Sequence, residues 1–517
     1  MAAIITDQFR ILSAKNFVSV ASSSDNSYYV FVGLPNASEY STTWDTNPPA
    51  PKDNFSEENS YWDTAIAVKK ISTENIKQII RKITWTSGIT YDMYRHDISR
   101  TNTSKPSDAT SLYAANYYVV NSDYRVYICL QNGTNPENPE GRPSLDEPIF
   151  TDLEPRSAGT SGDGYIWKYL YTIAPSDIIK FETSNFIPVP KDWGTSDTNS
   201  TVRNNAATSG QIKIVTITNR GVGIGTANTT YTRVPIKGDG IGAEATIIIN
   251  NNSKVESITI SNGGSSYTYG TVDLVAGNVP VGTTQPNFDV IIPPKGGHGA
   301  DIYRELGANR VALYARIEND TQNPDFITGN QISRVGVIEN PLVYNSSFIL
   351  TEDKASAVYA LKLVGTGYST ATFIADALVT QTVGVASTAV GRVISYDQNT
   401  GVLKYWQDRT LVGFNSDGTK NSTPIYGFNM NRFTSSPGVG GTTIIQGGSA
   451  GLSIDTNYNG ISTSINSRTY YFGQNFINGV SSPEVQKYSG NIIHVDNRPS
   501  VTRSSSQKED IKVILQF

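Results

Sequence analysis

Apolar positions change rhythm several times along the chain. Behind Thr6 or Asp7, either of which can cap a helix, Phe9, Leu12, Ala14 and Phe17 recur at helical spacing until the polar run 22–26. The continuous apolar run 28–32 then reads as a buried strand, and a Pro-rich loop follows at 47–51. Ser72 or Thr73 as a cap, Glu74 in the first turn and Ile76, Ile79, Ile80 and Ile83 at helical spacing predict a second helix. Residues 117–120 and 125–130 read as strands.

From about residue 196 to 294 the pattern becomes short Ile/Val/Thr runs broken by Gly and Asn, as in an all-β region. A weak internal repeat lies inside it. Val215-Thr216-Ile217-Thr218-Asn219-Arg220-Gly221 resembles Ile258-Thr259-Ile260-Ser261-Asn262-Gly263-Gly264. Two copies are too few for a solenoid, so the repeat predicts two related strand–turn units in one small domain. Residues 296–345 return to a denser, more charged style, with a short helix start at 301–305 and an alternating strand at 311–317. A second Gly/Ser/Thr-rich β region spans about 346–482, where 390–396 and 402–406 read as a hairpin whose turn closes on Gly401. In 511–517, Ile511, Val513, Leu515 and Phe517 share one strand face, expected to dock on a core formed by the N-terminal half. The expected fold is thus α+β and mostly β. A mixed core domain (1–195 and 296–345, closed by 483–517) is interrupted by two β-rich, sandwich- or barrel-like inserted domains, 196–295 and 346–482.

Composition narrows the function classes. A chain of 517 residues exceeds one ordinary core, and about three globular units are expected. Hydrophobic residues are 38% and charged residues 17%, against roughly 45–50% and about 25% in average globular domains. Gly, Ser, Thr and Asn fill the difference. A net charge of −5 with 29 Tyr, 17 Phe and 6 Trp is not the composition of a disordered chain. No basic block is present, which speaks against nucleic-acid binding. No apolar stretch reaches the ~20 residues of a membrane span, and residues 1–7 lack the basic and apolar regions of a signal peptide. The single cysteine, Cys129, excludes an intramolecular disulfide and a Cys-rich metal site. Its place in the apolar run 126–130 marks it as a small buried hydrophobe.

Motifs that carry chemistry elsewhere lack their context here. His96, His298 and His494 are far apart, and His298 in Gly296-Gly297-His298-Gly299, with Asp301 nearby, reads as a turn histidine sooner than a metal ligand. Gly447-Gly448-Ser449-Ala450-Gly451 matches a nucleophile elbow, but the turn-rich 452–460 is not the helix that an elbow needs. Gly238-Asp239-Gly240-Ile241-Gly242-Ala243 matches a loose dinucleotide pattern, but β-branched 246–249 predicts a hairpin. Glu57-Glu58 and Asp146-Glu147 read as solvated surface. No catalytic, cofactor-binding or metal-binding residue is expected.

Two further segments have readings of their own. Gly162 and Gly164 flank Asp163 in what reads as a tight turn with positive φ. Tyr165, Trp167, Tyr169 and Tyr171 then lie on one face of a strand, opposite Ile166 and Leu170, either as core or as an aromatic face for another subunit. Asn497-Arg498-Pro499 reads as a turn whose arginine holds a carboxylate or backbone carbonyls, as a structural clamp or a contact to another chain.

These segments together resemble a known family. They are 162–171 followed by Ile173, Pro175 and 186–190, then Arg334-Val335-Gly336-Val337-Ile338-Glu339-Asn340-Pro341-Leu342, then 490–499 leading to a strand that reaches Phe517. In order and spacing the set is similar to the gene-product-eight baseplate wedge proteins of T-even-like contractile-tailed phages. The resemblance covers roughly 1–195, 296–345 and 483–517 and leaves out both β regions, which look inserted or enlarged. It implies a structural homodimer in each wedge of a virion tail baseplate, bound to other wedge proteins and assembled in bacterial cytoplasm. It implies no enzymatic activity, cofactor, nucleic-acid or membrane partner. The competing readings are a glycan-binding tail adhesin, resting on the Tyr-, Gly- and Asn-rich loops of the β regions, and a polysaccharide depolymerase, resting on the β-rich character of the chain.

Overall fold

The structure is a computed structural model that describes residues 4–35, 44–194, 200–206, 208–320, 322, 326, 329, 331–412, 419, 422, 431–444 and 451–517; at Ser56, Thr410 and Val412 only the backbone is described. The fold is mixed and mostly β, with several sheets, some of them curled. It divides into two compact units: Met1–Val18, Lys77–Ala312 and Ile514–Phe517 form one, and Ser19–Ile76 and Leu313–Val513 form the other. The chain passes between units inside regular elements, namely helix Asp7–Ala21 and strands Ile76–Arg81, Arg310–Glu318 and Lys508–Gln516.

Two cores of the first unit can be described. One surrounds the antiparallel sheet of Tyr118–Val120, Arg125–Asn132 and Tyr165–Thr172. These strands are buried on both faces, through Tyr118, Tyr127, Ile128, Cys129, Trp167 and Leu170 among others. Cys129 is wholly inside, and burial pushes its thiol pKa well up, so it is an inert packing group. The other core lies within 212–292, around Val234, Ile247, Ile249 and Val255. Its main sheet runs Val255–Ser265, Ile241–Ile249, Thr230–Gly238, Gly270–Val272, and Ile214–Asn219 pairs with Asn287–Ile291. Both copies of the repeat lie on strands and carry the same Asn–Gly hydrogen bond, the first where strand Ile214–Asn219 ends and the second inside strand Val255–Ser265. Asn219 Oδ1 accepts from the Gly221 N–H (2.8 Å) and Asn262 Oδ1 from the Gly264 N–H (3.0 Å), with both glycines at positive φ.

Fragment 198–294 is expected to fold alone, because its core is contiguous in sequence. Val202, Ile214 and Ile291 pack in the neighbouring aromatic core, so the fragment should melt below the full chain. Circular dichroism should show a β spectrum with a cooperative melt; a random-coil spectrum would contradict this.

In the second unit a five-stranded antiparallel sheet runs Lys354–Ser356, Ala65–Lys70, Tyr28–Gly33, Gln331–Glu339, Asn491–Thr502. All residues of central Tyr28–Gly33 are buried, which explains its unbroken apolar run. A larger sheet contains Ser387–Asp397 and Val402–Trp406, paired as the expected hairpin, with Gly401 at φ 70° in the turn. Strand Arg310–Glu318 includes the expected strand, but it is buried almost throughout and does not alternate.

The segment behind Ser72 differs from its sequence pattern. Ser72 and Thr73 start only a 3₁₀ turn, Thr73–Asn75, and Ile76–Arg81 is a strand paired with Phe186–Pro188. Ile76, Ile79 and Ile80 are all buried. Isoleucines at positions 1, 4 and 5 fit a helix face and equally a strand covered on both faces, and the β-branched run favours the strand. Gln78 inside it is satisfied by donating to Ala308 O (2.8 Å). The helix start at 301–305 is present as Ile302–Glu305, capped by Asp301 Oδ1, which accepts from the Arg304 N–H.

Candidate functional site

The Gly-Asp-Gly turn is built as its residues dictate. Gly162 and Gly164 have φ of 71° and 86°, and a Cβ on Gly164 would stand 2.8 Å from Gly133 Cα. Asp163 between them is nearly buried; its oxygens accept from the Leu145 N–H (2.9 Å) and the Tyr165 N–H (3.0 Å). This clip aims the next strand into the core. Tyr165 donates to Arg142 O (2.8 Å) and accepts from the Tyr91 N–H (2.9 Å). Trp167 stacks on Tyr165 at 5.3 Å and meets the edge of Tyr91 at 5.9 Å. Tyr171 donates to Pro188 O (3.2 Å) and packs against Trp193. Tyr165, Trp167 and Tyr171 are core; Tyr169 is half-exposed and meets Tyr127 edge-on at 5.8 Å. Lys168 is buried as well. It donates to Leu153 O (2.7 Å) and Asn205 Oδ1 (3.1 Å), and burial lowers its pKa.

Asn497-Arg498-Pro499 is not a turn. It lies inside strand Asn491–Thr502, at the edge of the five-stranded sheet, where a proline costs no ladder bond on the open side. Arg498 is exposed and pairs with Asp496 two residues away. The buried arginine is instead Arg334. Its Nε donates to Asn497 Oδ1 (2.8 Å) and its NH1 to Thr64 Oγ1 (2.6 Å), and it lies over Tyr61 (4.8 Å) and Trp44 (6.0 Å). Asn497 also donates to Pro49 O (2.9 Å), and the Trp44 indole donates to Arg498 O (3.0 Å). The segment is thus a tie within the second unit, with Asn497 and not Arg498 as its working side chain. Phe517, in the first unit, rests its ring 5.5 Å from Phe17 and donates its N–H to Asn309 O (3.1 Å).

The motifs weighed for chemistry take structural roles. His298 is buried, its Nδ1 2.6 Å from Glu305 Oε1, with Tyr94 edge-on at 4.7 Å. Glu305 Oε2 also accepts from the Gly299 N–H (2.7 Å). Asp301 is occupied as a helix cap, and no group of three or more His, Cys, Asp or Glu is placed to hold a metal among the described residues. Gly238–Ala243 forms the turn of a hairpin. Ser449 lies outside the described residues. Glu57, expected at the surface, is buried in the first turn of helix Phe55–Thr64, where Lys52 meets it. Asp146 and Glu147 accept from the backbone N–H groups of Ser161 and Ser122.

One buried charge cluster gave no sequence signal. Asp63, nearly buried, takes both carboxylate oxygens to Arg409 and one also to the Tyr488 hydroxyl. Lys487 donates to Asp63 O (3.1 Å) and lies 5.7 Å from the Tyr359 ring centre, and Arg432 lies 4.2 Å from the same ring centre. Burial, offset in part by Asp63, pulls the Lys487 ammonium down to about 8. Asp63 thus ties helix Phe55–Thr64 to Arg409 and to Lys487 and Tyr488, segments distant in sequence. No helix among the described residues is long and apolar enough to cross a membrane. Neither the protein-family models nor the curated proteins contain a match to the chain.

Proposed function

We propose that the chain is a structural subunit of a phage tail baseplate wedge. It acts through protein–protein contact as a homodimer that links neighbouring wedge proteins, and its mixed core is interrupted by two inserted β-rich domains. The observation that carries this reading is the ordered set of segments resembling the wedge family. The residues of that set with defined roles, among them Gly164, Asp163, Tyr165, Trp167 and Asn497, are spent on turns, packing and backbone hydrogen bonds. A composition poor in charge and rich in Asn, Ser and Thr suits large, partly wet interfaces.

A glycan-binding adhesin or depolymerase is the second reading. It is favoured by a cleft of about 400 Å³ in the second unit lined by Trp406, Asp376, Gln331 and Thr502, an aromatic ring with polar groups about it. Light scattering of the purified chain should give a dimer, and it should join a larger complex only with its tail-protein neighbours present, with weak salt dependence. A strict monomer across micromolar concentrations would overturn the first reading. Release of sugar from host surface polysaccharide would put the second in its place.

A further inference from the structure

In the first unit, a cleft of about 430 Å³ gathers three arginines, Arg10, Arg81 and Arg310, from three elements. They come from helix Asp7–Ala21, the end of strand Ile76–Arg81 and the start of strand Arg310–Glu318. Several half-buried arginines elsewhere in the chain meet carboxylates, as in Arg95–Asp97, Arg392–Asp408 and Arg409–Asp63. None of these three has an ion pair with a described residue. Asp7 is the only acidic side chain in the described lining, and it is not within ion-pair distance of them.

Two of the three guanidinium groups are also held in place. Arg81 NH2 donates to Ala114 O (3.2 Å) and Ala115 O (2.7 Å), and NH1 donates to Asn116 Oδ1 (3.3 Å). Arg310 lies over the Phe186 ring at 5.4 Å and uses one donor on Asn309 Oδ1 (3.1 Å). Most of the five N–H donors of Arg310 therefore remain for a partner. Burial first, and the like charge of Arg81 second, weaken its hold on a proton. Fixed like charges beside one another in a half-buried cleft cost free energy until an anion joins them, and a fixed planar fork matches carboxylate and phosphate oxygens.

We propose that this cleft is an oxyanion-binding site, with Arg310 and Arg10 as the principal donors and Arg81 as the fixed background charge. The ligand chemistry is a carboxylate or phosphate group. Its source is either a free small anion or an acidic peptide segment, since the cleft volume has room beyond a single oxyanion. This site does not depend on the baseplate reading.

The test is isothermal titration of the full chain, at low ionic strength, with inorganic phosphate and separately with a synthetic peptide of consecutive glutamates. Saturable one-to-one binding is expected with at least one probe. Arg310→Gln and Arg10→Gln should each weaken it at least about tenfold, the loss of a charge-assisted hydrogen bond. Without ligand, Arg310→Gln should keep or raise the melting temperature, because it removes a repulsion; this readout also shows that the variant folds. Tight phosphate binding with no peptide binding assigns a small-anion site. Peptide binding that phosphate displaces only at high concentration assigns an acidic protein segment. Absence of saturable binding by both probes, or binding unchanged in both variants, overturns the proposal.

Discussion

Deleting residues 510–517 should give insoluble protein. Strand Lys508–Gln516 contributes to both units, so its loss opens each of them. In the second unit Val513 is buried, and Asp510 accepts from Arg316 Nε (2.6 Å) and NH2 (2.9 Å) and from the Tyr314 hydroxyl (2.7 Å). In the first unit the Phe517 ring leaves Phe17 and its N–H leaves Asn309 O. Ile511, Leu515 and Phe517 are half-buried, less than a fully docked face would give. Full burial of each such side chain is worth roughly 1.5–3 kcal/mol, so even partial loss from four of them is a large share of the ~5–15 kcal/mol that keeps a domain folded. The strand also covers backbone that would become an open, adhesive edge. Asp510→Asn alone should cost under about 1 kcal/mol, because its ion pair is half-exposed. Soluble fraction and melting temperature separate the two. A soluble deletion variant with unchanged melting would refute the docking.

The second large effect is expected at Asp63. Asp63→Ala removes the carboxylate that pairs with Arg409 and Tyr488 and takes away the charge that partly offsets the burial of Lys487. Breaking a buried ion pair from one side costs about 3–5 kcal/mol, which chemical denaturation would read as a lowered midpoint. Lys487 adds a pH signature. Its folded pKa, about 8, lies below its ordinary 10.5. Below pH 8 both folded and unfolded chains carry the charge, and the folded state bears the full desolvation cost, about 3 kcal/mol by linkage. Between pH 8 and 10.5 the unfolded chain binds more protons, so this cost is relieved and stability rises. From about pH 9 upward the tyrosines oppose this: burial raises the pKa of many of them, Tyr405 and Tyr488 included, so only the unfolded chain ionises them. Between about pH 7.5 and 9 the denaturation midpoint of the native chain should therefore rise relative to that of Lys487→Met, which shares the tyrosines and lacks the lysine. A difference between the two that stays constant over that range would contradict the assignment.

Much of the local structure could be read from residue order. Tyr28–Gly33 has no polar break, so only a strand covered on both faces suits it. The glycines on either side of Asp163 need positive φ, and the structure gives it to them. Where reading failed, the deciding partner was remote. Ile76, Ile79 and Ile80 satisfy two periodicities, and pairing with Phe186–Pro188 selects one. Pro499 looks like a turn residue until Asn491–Thr502 is seen to be an edge strand. Asp63 meets Arg409 and Tyr488 across 346 and 425 residues, and no local pattern marks such a meeting.

The division of the chain also bears on how fast it folds. Phe17 and Phe517 touch although about 500 residues separate them, so the first unit cannot close until a very long loop has been brought together. Loop-closure entropy grows slowly with length, but non-local pairing is what slows folding. The 212–292 core needs only nearby strands and should form early, as an island. Both units then wait on strands that serve each of them, Arg310–Glu318 and Lys508–Gln516. Refolding from denaturant should therefore show a fast phase belonging to the island and a slow phase common to everything else, with unpaired strand edges exposed in the interval between them.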